Sequence, residues 1–186
     1  MDFNIKKMTI EDFNSIKDVL TEDFDNFWSP NTLKEELNSN NSYFLVAKNN
    51  NEIIGFAGLK IILDEADIMN IVIKKNYRHN GIGSSLLDNL ISYSKSLNLK
   101  SITLEVNENN LSAIRLYDKF NFDKIGIRKQ YYDGKSDAII MTKKLWLFRV
   151  FLYIFIHFYN CSSTPSSTTK FFYDKSSFTS DRNNIS

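Results

Sequence analysis

Thiol chemistry is the first thing this sequence lacks. Its 186 residues hold one cysteine, Cys161, far toward the C-terminus. Everything before it is therefore without a thiol nucleophile, a disulfide or a cysteine-based zinc site. Histidine is nearly as scarce, and His79 and His157 make no cluster, so no metal is expected. An excess of charge of one sign is missing too. With 23 Lys and Arg against 22 Asp and Glu the formal net charge is +1, so no overall field argues for nucleic acid or an acidic surface, although a local basic patch is compatible with it. The opening "MDFNIKKMTIEDF" is polar and acidic where a secretory signal has a basic start and an apolar run. A reducing, cytoplasmic setting is the expectation. The run "WLFRVFLYIFIHFYN" falls short of the about 20 apolar residues of a spanning helix and is interrupted by Arg149 and His157. No transmembrane span is expected.

What is present reads as one domain over residues 1–145, mixed α/β. "FNIKKM" alternates like a strand, and "TIEDFNSIKDVL" has helical spacing with Thr9 as N-cap and Asp12 three residues on. "WSPNTLKEEL" places Ser29 as N-cap and Pro30 at the first helical position. "SYFLVAK" and "EIIGFAGLKII", separated by "NNN", read as a hairpin, and "EADIMNIVI" as a third strand. A helix follows, with Ile82, Leu86, Leu87, Leu90 and Ile91 on one face. "SITLEVN" returns as a strand and completes a βαβ unit. A helix "NLSAIRLYDKF" and two strands around Asp133-Gly134, "FDKIGIRKQYY" and "DAIIMTKKL", close the domain. After Leu145 the composition changes to an apolar segment, 146–160, and then to a Ser/Thr/Asn-rich tail, 161–186, expected to be disordered. Arg149 and His157 would lie about 80° apart on an α-helix, so the apolar segment fits either a weak membrane-surface contact or an accidental extension.

The chemistry starts at "YRHNGIGSSLL". Glycines before a helix start let a ligand approach the first N–H groups, which have no partner inside the helix, and such a ligand is an anion. The dinucleotide pattern of three spaced glycines is absent, and so is the Gly-Lys-Ser/Thr of a P-loop. Taken alone, "GIGSS" fits a flexible turn as well as a phosphate site. Its place after the strand "MNIVI" and before a helix, with Arg78 and His79 adjacent, shifts the balance toward an anion.

These residues resemble the GNAT superfamily of N-acetyltransferases, whose acetyl-CoA motif Arg/Gln-x-x-Gly-x-Gly/Ala is matched by "RHNGIG" at Arg78, Gly81 and Gly83. The likeness runs from residue 1 to about 145. Within the superfamily, "LDEADIMNIVIKKNYRHNGIGSSLL", "LEVNENNLSAIRLYDKFNF" and "YYDGKSDAIIM" are most similar to the bacterial ribosomal-protein-alanine N-acetyltransferases. The resemblance implies a central, mostly antiparallel seven-stranded sheet with a splayed pair of parallel strands and flanking helices. It implies acetyl-CoA as cosubstrate, with Ile71, Val72 and Ile73 as the strand that bonds its pantetheine arm. His79, Asn80, Gly81, Ile82, Gly83 and Ser84 would hold the pyrophosphate beside Arg78, and Asn110 would touch the arm. The implied acceptor is a protein N-terminus, that of a ribosomal protein beginning with Ala, lined by Tyr131 and Tyr132 and by the loop "FWSP". Ser136 departs from the pattern, since the family commonly has an acidic residue before "DAIIM".

Glu105 and Tyr117 take the family's positions of base and acid. Strand alternation puts Thr103 and Glu105 on one face and Leu104 and Val106 on the other. A lone strand glutamate is more commonly a plain surface carboxylate, and Tyr117 fits a core aromatic beside Leu116 and Phe120 equally well. The chemistry agrees with the implied roles. An α-amine of pKa about 7.7–8.0 is roughly a tenth neutral at pH 7, whereas a Lys at about 10.4 is almost wholly charged. A thiolate leaving group of pKa near 8.5, by analogy with Cys, can take a proton from an oriented phenol. Without a core cysteine, direct transfer in a ternary complex is the simplest path. The alternatives are the same enzyme class acting on a small-molecule amine or a Lys side chain, and a non-catalytic acyl-CoA-binding module that would not need Glu105 and Tyr117.

Overall fold

The computed structural model describes residues 1–24 and 28–145. The expected apolar segment 146–160, the tail 161–186 and Phe27 of "FWSP" lie outside the described residues. Strand β1 (Asn4–Lys7) leads into helix α1 (Ile10–Ile16), which starts at a capping box: Asp12 N–H donates to Thr9 Oγ1 at 3.2 Å and Thr9 N–H donates to Asp12 Oδ2 at 3.1 Å. The expected single helix breaks after Ile16, and a separate α2 (Leu20–Phe24) follows. The intervening turn brings Leu20 and Phe24 back to the core that already holds Phe13 and Ile16. Ser29 caps α3 (Pro30–Leu37) through its Oγ, 3.1 Å from Thr32 N, with Pro30 at the start of the helix.

The hairpin β2 (Ser42–Asn49) and β3 (Glu52–Ile62) and the strand β4 (Glu65–Ile73) are antiparallel in sequence order. After a 3-10 turn at Lys75–Tyr77, helix α4 (Ile82–Ser96) crosses back to β5 (Ser101–Asn107), which lies parallel to β4. Helix α5 (Leu111–Lys119), β6 (Asp123–Tyr132) and β7 (Ser136–Lys144) complete one seven-stranded sheet in the order β1-β2-β3-β4-β5-β7-β6. Every neighbouring pair is antiparallel except β4–β5, as the resemblance implied.

Period-two alternation divides the strands between two cores. Leu45, Ala47, Ile54 and Leu59 pack with Leu86, Leu87 and Leu90 of α4 on one face. Phe44, Val46, Ile53 and Phe56 pack with Phe13, Leu20, Phe24 and Leu33 of α1–α3 on the other. The arrangement is three layers, helix on sheet on helix, with β2 and β3 covered on both sides. On the α1–α3 side, Asp12 makes an ion pair with Lys48, both side chains largely buried. Desolvation pushes the Asp12 carboxyl up, but hydrogen bonds from Lys48 and Thr9 N–H and the charges of Lys48 and Lys6 outweigh it and hold the pKa below the ordinary carboxylate range.

Candidate active site

The site begins where two parallel strands part. β4 and β5 pair only from Glu65–Ser101 to Ile68–Leu104. Beyond that point β4 follows β3 as far as Gly55–Ile73, and β5 follows β7 as far as Asn107–Ala138. Among the described residues, the facing edges of 69–73 and 105–107 therefore have no strand partner. A bulge marks the divergence: Leu59 pairs with Ile68 and Gly58 with Asn70, so Met69 is an extra residue in β4. Such an insertion bends a strand and increases its twist. Gly58 has to be glycine there, because a Cβ would stand 2.3 Å from the ring of Phe44. The wedge opens into a cleft of about 800 Å³.

One end of the cleft is a helix start without a cap. Gly81 is the N-cap of α4 at φ 79°, ψ −3°, and no described side chain bonds back to the first turn. The first helical hydrogen bond is Ser85 N–H to Gly81 O at 3.0 Å, so the N–H groups of Ile82, Gly83 and Ser84 have no acceptor inside the helix. A Cβ at Gly81 would meet nothing within 4 Å. This is open space against an uncapped, positive helix end, which fits a pyrophosphate. A Cβ at Gly83 would make ordinary contacts with Leu116 Cδ2 at 3.6 Å and Ile73 Cγ1 at 3.9 Å. Asn80 turns away from the cleft and braces the loop, its Nδ2 donating to Tyr77 O at 3.2 Å and Arg78 O at 3.1 Å.

The cleft wall takes in Ile71, Val72, Ile73, Arg78, His79, Gly81, Ile82, Gly83, Ser84 and Asn110 of the residues expected for the cofactor, and Glu105, Tyr117 and Tyr132 of the others. Asn80 and Tyr131 are the two it does not include. Asn110 is also the N-cap of α5, its Oδ1 accepting from Ala113 N–H at 3.1 Å. Composition and motif reading missed Arg115 and Lys119, which line the same cleft one helical turn apart on α5. Their i, i+4 spacing was the available signal. Among the described residues no cluster of His, Cys, Asp and Glu could hold a metal, and no helix is long and apolar enough to cross a membrane.

Glu105 sits at the mouth with a set of partners that sequence did not reveal. Arg128 Nη2 lies 3.0 Å from Glu105 Oε1, and the same guanidinium stands 4.9 Å from the ring centre of Tyr131. Tyr131 and Tyr132 meet edge-on at 5.1 Å, and Tyr132 Oη donates to the backbone O of Glu105 at 3.4 Å. The Glu105 carboxylate imprints its charge on its neighbours. The Tyr131 phenol is pushed up by a hydrogen bond to Glu105 and by its charge, and Tyr132 by burial and then by Glu105. The Asp67 carboxyl, one strand away, is raised by desolvation and then by Glu105 and Glu65.

Tyr117 lies deeper. It is 8% exposed, its ring is tilted against Phe122 at 5.7 Å, and it still borders the cleft. It is thus packed as a core aromatic and at the same time reaches the cleft. Burial, with Tyr132 adding to it, pushes the phenol far above its ordinary pKa, so the hydroxyl keeps its proton throughout the working range. Ser136, the departure noted above, pairs with Tyr132 across the β6–β7 turn, and its Oγ accepts from Asn109 Nδ2 at 3.2 Å.

Comparison with known proteins agrees with this geometry. Residues 13–122 match the sequence profile of the acetyltransferase (GNAT) family. A [ribosomal protein bS18]-alanine N-acetyltransferase of Haemophilus influenzae is 41% identical over 121 residues, covering 62% of this chain and 80% of its own. The enzyme of the same name from Escherichia coli K12 is 34% identical over 118 residues, covering 62% and 79%. The crystal structure of the Escherichia coli ribosomal-protein-S18-alanine N-acetyltransferase superposes with a TM-score of 0.72 at 28% identity, over 77% of this chain and 94% of that one. The split sheet, the uncapped glycine helix start and these likenesses together make the chain a member of the GNAT family, an acetyl-CoA-dependent N-acetyltransferase.

Proposed function

We propose that this enzyme acetylates the N-terminal α-amine of a protein, with Ala as the preferred first residue and a ribosomal protein as the acceptor, by direct transfer from acetyl-CoA in a ternary complex. The observation that carries the reading is that Glu105 and Tyr117 line one cleft, a carboxylate and a buried phenol that keeps its proton. The names of the relatives support the acceptor.

In this reading the open backbone of Ile71–Ile73 holds the pantetheine arm, and the N–H groups of Ile82, Gly83 and Ser84 hold the pyrophosphate, with His79 and Asn110 beside them. Arg115 and Lys119 add positive charge along the same wall. Glu105 accepts the proton of the attacking amine, directly or through water, while a backbone N–H of β4 polarises the thioester carbonyl. The carbon–nitrogen bond forms as the carbon–sulfur bond breaks. Tyr117 donates a hydrogen bond to the departing sulfur, which leaves as a thiolate and takes up its proton from the phenol or, after release, from water. Tyr131 and Tyr132 flank the incoming peptide. Ser136 carries no charge, so selection for a basic second residue is weaker than an acid there would give. The setting is cytoplasmic, and residues 1–145 are the catalytic domain.

The test is a panel of peptides beginning Ala, Ser, Met or Gly, set beside a peptide with a blocked N-terminus and one Lys, a polyamine and an aminoglycoside. The Ala peptide should have the highest kcat/KM. A higher kcat/KM for the polyamine or aminoglycoside than for every peptide would overturn the assignment in favour of a small-molecule amine. No turnover of any amine, with acetyl-CoA still bound, would leave the binding module.

A further inference from the structure

Two adjacent tyrosines of β6 reach the same glutamate, which a regular strand would not allow. Consecutive side chains of a strand point to opposite faces, yet Tyr132 Oη donates to Glu105 O at 3.4 Å while the Tyr131 phenol hydrogen-bonds Glu105, with the Arg128 guanidinium 4.9 Å from its ring centre. The register explains this. Arg128 pairs with Ala138 and Tyr132 with Ser136, so three residues of β6, 129–131, stand opposite Asp137 alone. Two residues are thus extra in β6, a bulge that re-aims the side chains around it.

Asp137 holds the extra residues. Its Oδ1 accepts from Gln130 N–H at 2.9 Å and its Oδ2 from Lys129 Nζ at 2.5 Å. Gln130 sits at φ 52°, in the left-handed region that a residue with a Cβ enters at a cost, and the contact to its N–H fixes it there. Hydrogen bonds from Lys129 and from Gln130 N–H hold the Asp137 carboxyl below the ordinary carboxylate range, so both oxygens stay acceptors. The backbone of Asp137 is anchored in turn: its N–H donates to Glu108 Oε1 at 2.9 Å, and its O accepts from Glu108 N–H at 3.1 Å. Glu108 directly follows β5. One residue therefore joins the bulge to the strand that carries Glu105.

We propose that Asp137 is a positioning residue for acceptor binding: by bracing residues 129–131 it turns Tyr131 and Tyr132 together toward Glu105. Asp137 itself is not on the cleft wall. The inference rests on the reading of the two tyrosines as the acceptor side of the mouth and deepens it. Its consequence is that losing the brace weakens acceptor binding and spares acetyl-CoA binding.

With the best amine of the panel, whichever that is, Asp137→Ala should raise the acceptor KM at least fivefold, while the Kd for acetyl-CoA by calorimetry stays within twofold. A merely destabilised fold would lower the fraction of active enzyme, and so kcat, without moving KM. Asp137→Ser, whose oxygen sits one bond closer to the backbone, should give the same rise and guards against an alanine variant that does not fold. Asp137→Asn keeps an oxygen for Gln130 N–H and loses only the charge facing Lys129, so its KM should stay within twofold of wild type, as should that of Lys129→Ala. Hydrogen exchange should quicken at residues 129–132 of Asp137→Ala and not in α4. If the brace acts through the tyrosines, adding Asp137→Ala to a Tyr131→Ala, Tyr132→Ala enzyme should change KM by less than twofold. An unchanged acceptor KM in both Asp137→Ala and Asp137→Ser, or a full fivefold rise on top of the tyrosine variant, overturns the proposal. If the tyrosine variant itself leaves the acceptor KM unchanged, the acceptor reading of the mouth falls and this inference with it. A KM that the tyrosine variant raises and the Asp137 variants do not sinks this inference alone.

Discussion

Two glycines of one motif should respond in opposite ways to the same added methyl. Gly81 sits at φ 79° and Gly83 lies inside α4 without a positive φ. An L-residue held in the left-handed region costs about 1–2 kcal/mol. For a domain of this size each kcal/mol moves Tm by about 2–4 °C, so Gly81→Ala should melt roughly 2–8 °C lower. Gly83→Ala should gain up to about 1 kcal/mol, because alanine loses less conformational freedom in a helix and its Cβ meets only ordinary contacts at 3.6 and 3.9 Å. The ligand responses should diverge as well. The Gly81 methyl enters open space at the helix start, where it displaces an anion from one or more N–H groups. Losing one charge-assisted hydrogen bond costs about 1.5–3 kcal/mol, roughly 10- to 150-fold in acetyl-CoA Kd. Gly83→Ala should bind within about threefold of wild type, a shift under about 1 kcal/mol. Asn tolerates the left-handed region, so Gly81→Asn separates strain from obstruction: Tm should recover while affinity stays low. Calorimetry and thermal melts decide it. Full acetyl-CoA affinity in Gly81→Ala and Gly81→Asn would remove the anion from this helix start, and an equal loss in Gly83→Ala would mean that the second glycine serves ligand approach and not helix packing.

The remaining expectations concern protons. Positioned acids and bases contribute about 10²–10⁴-fold, so Glu105→Gln and Tyr117→Phe should each lower kcat on that scale without weakening acetyl-CoA binding; full activity in both would leave only structural roles. Because burial raises the Tyr117 phenol, the rate with a peptide acceptor should climb through the α-amine pKa of about 7.7–8.0 and then stay level to about pH 10. A falling limb below pH 9.5 that disappears in Tyr117→Phe would refute the raised phenol. Asp12→Asn should destabilise the fold by about 1–3 kcal/mol at pH 7, since it leaves Lys48 without its counter-charge. The depressed carboxyl pKa makes this stability present above the unfolded value near 3.9 and lost as pH falls through the folded one. The gap between wild type and variant should therefore close at low pH in denaturant titrations, and a gap that persists at pH 2 would point to packing instead.

Local rules carried most of the fold. The Thr9 and Asp12 capping box, the Ser29 cap with Pro30, and the alternation that turns Leu104 inward and Glu105 outward all depend on spacings of two to four residues, and all appear as expected. The features that spacing could not show are pairings between distant segments. The break between α1 and α2 depends on a core shared with β2 and β3. The bulge at Gly58 and Asn70 that opens the cleft is a register between two strands. The ion pair of Arg128 with Glu105 joins positions that only the order β5-β7-β6 brings near one another. Nor does spacing show that the side-chain amide of Asn80 serves the loop's own carbonyls. Ile125 and Ile127 stay exposed on β6 because that strand is at the sheet edge, which period-two reading does not reveal.

The electrostatics of the mouth decide how selective one carboxylate can be. Glu105 is partnered by Arg128 on one side and sits near Asp67 on the other, and its own basicity cancels when two acceptors are compared at the same site. What remains is the proton affinity of the amines. An α-amine at about 7.8 and a Lys at about 10.4 differ by roughly 2.6 units, or about 3.5 kcal/mol. At pH 7 that makes the neutral fraction a few hundred times larger for the α-amine. At pH 9 the α-amine is almost wholly neutral and the ratio shrinks to a few tens. If protonation governs the choice, the preference for a peptide N-terminus over a Lys side chain should narrow by about tenfold across those two pH units. A preference that does not move with pH would place the discrimination in shape, with Tyr131 and Tyr132 excluding a long stem, and not in the protonation of the amines.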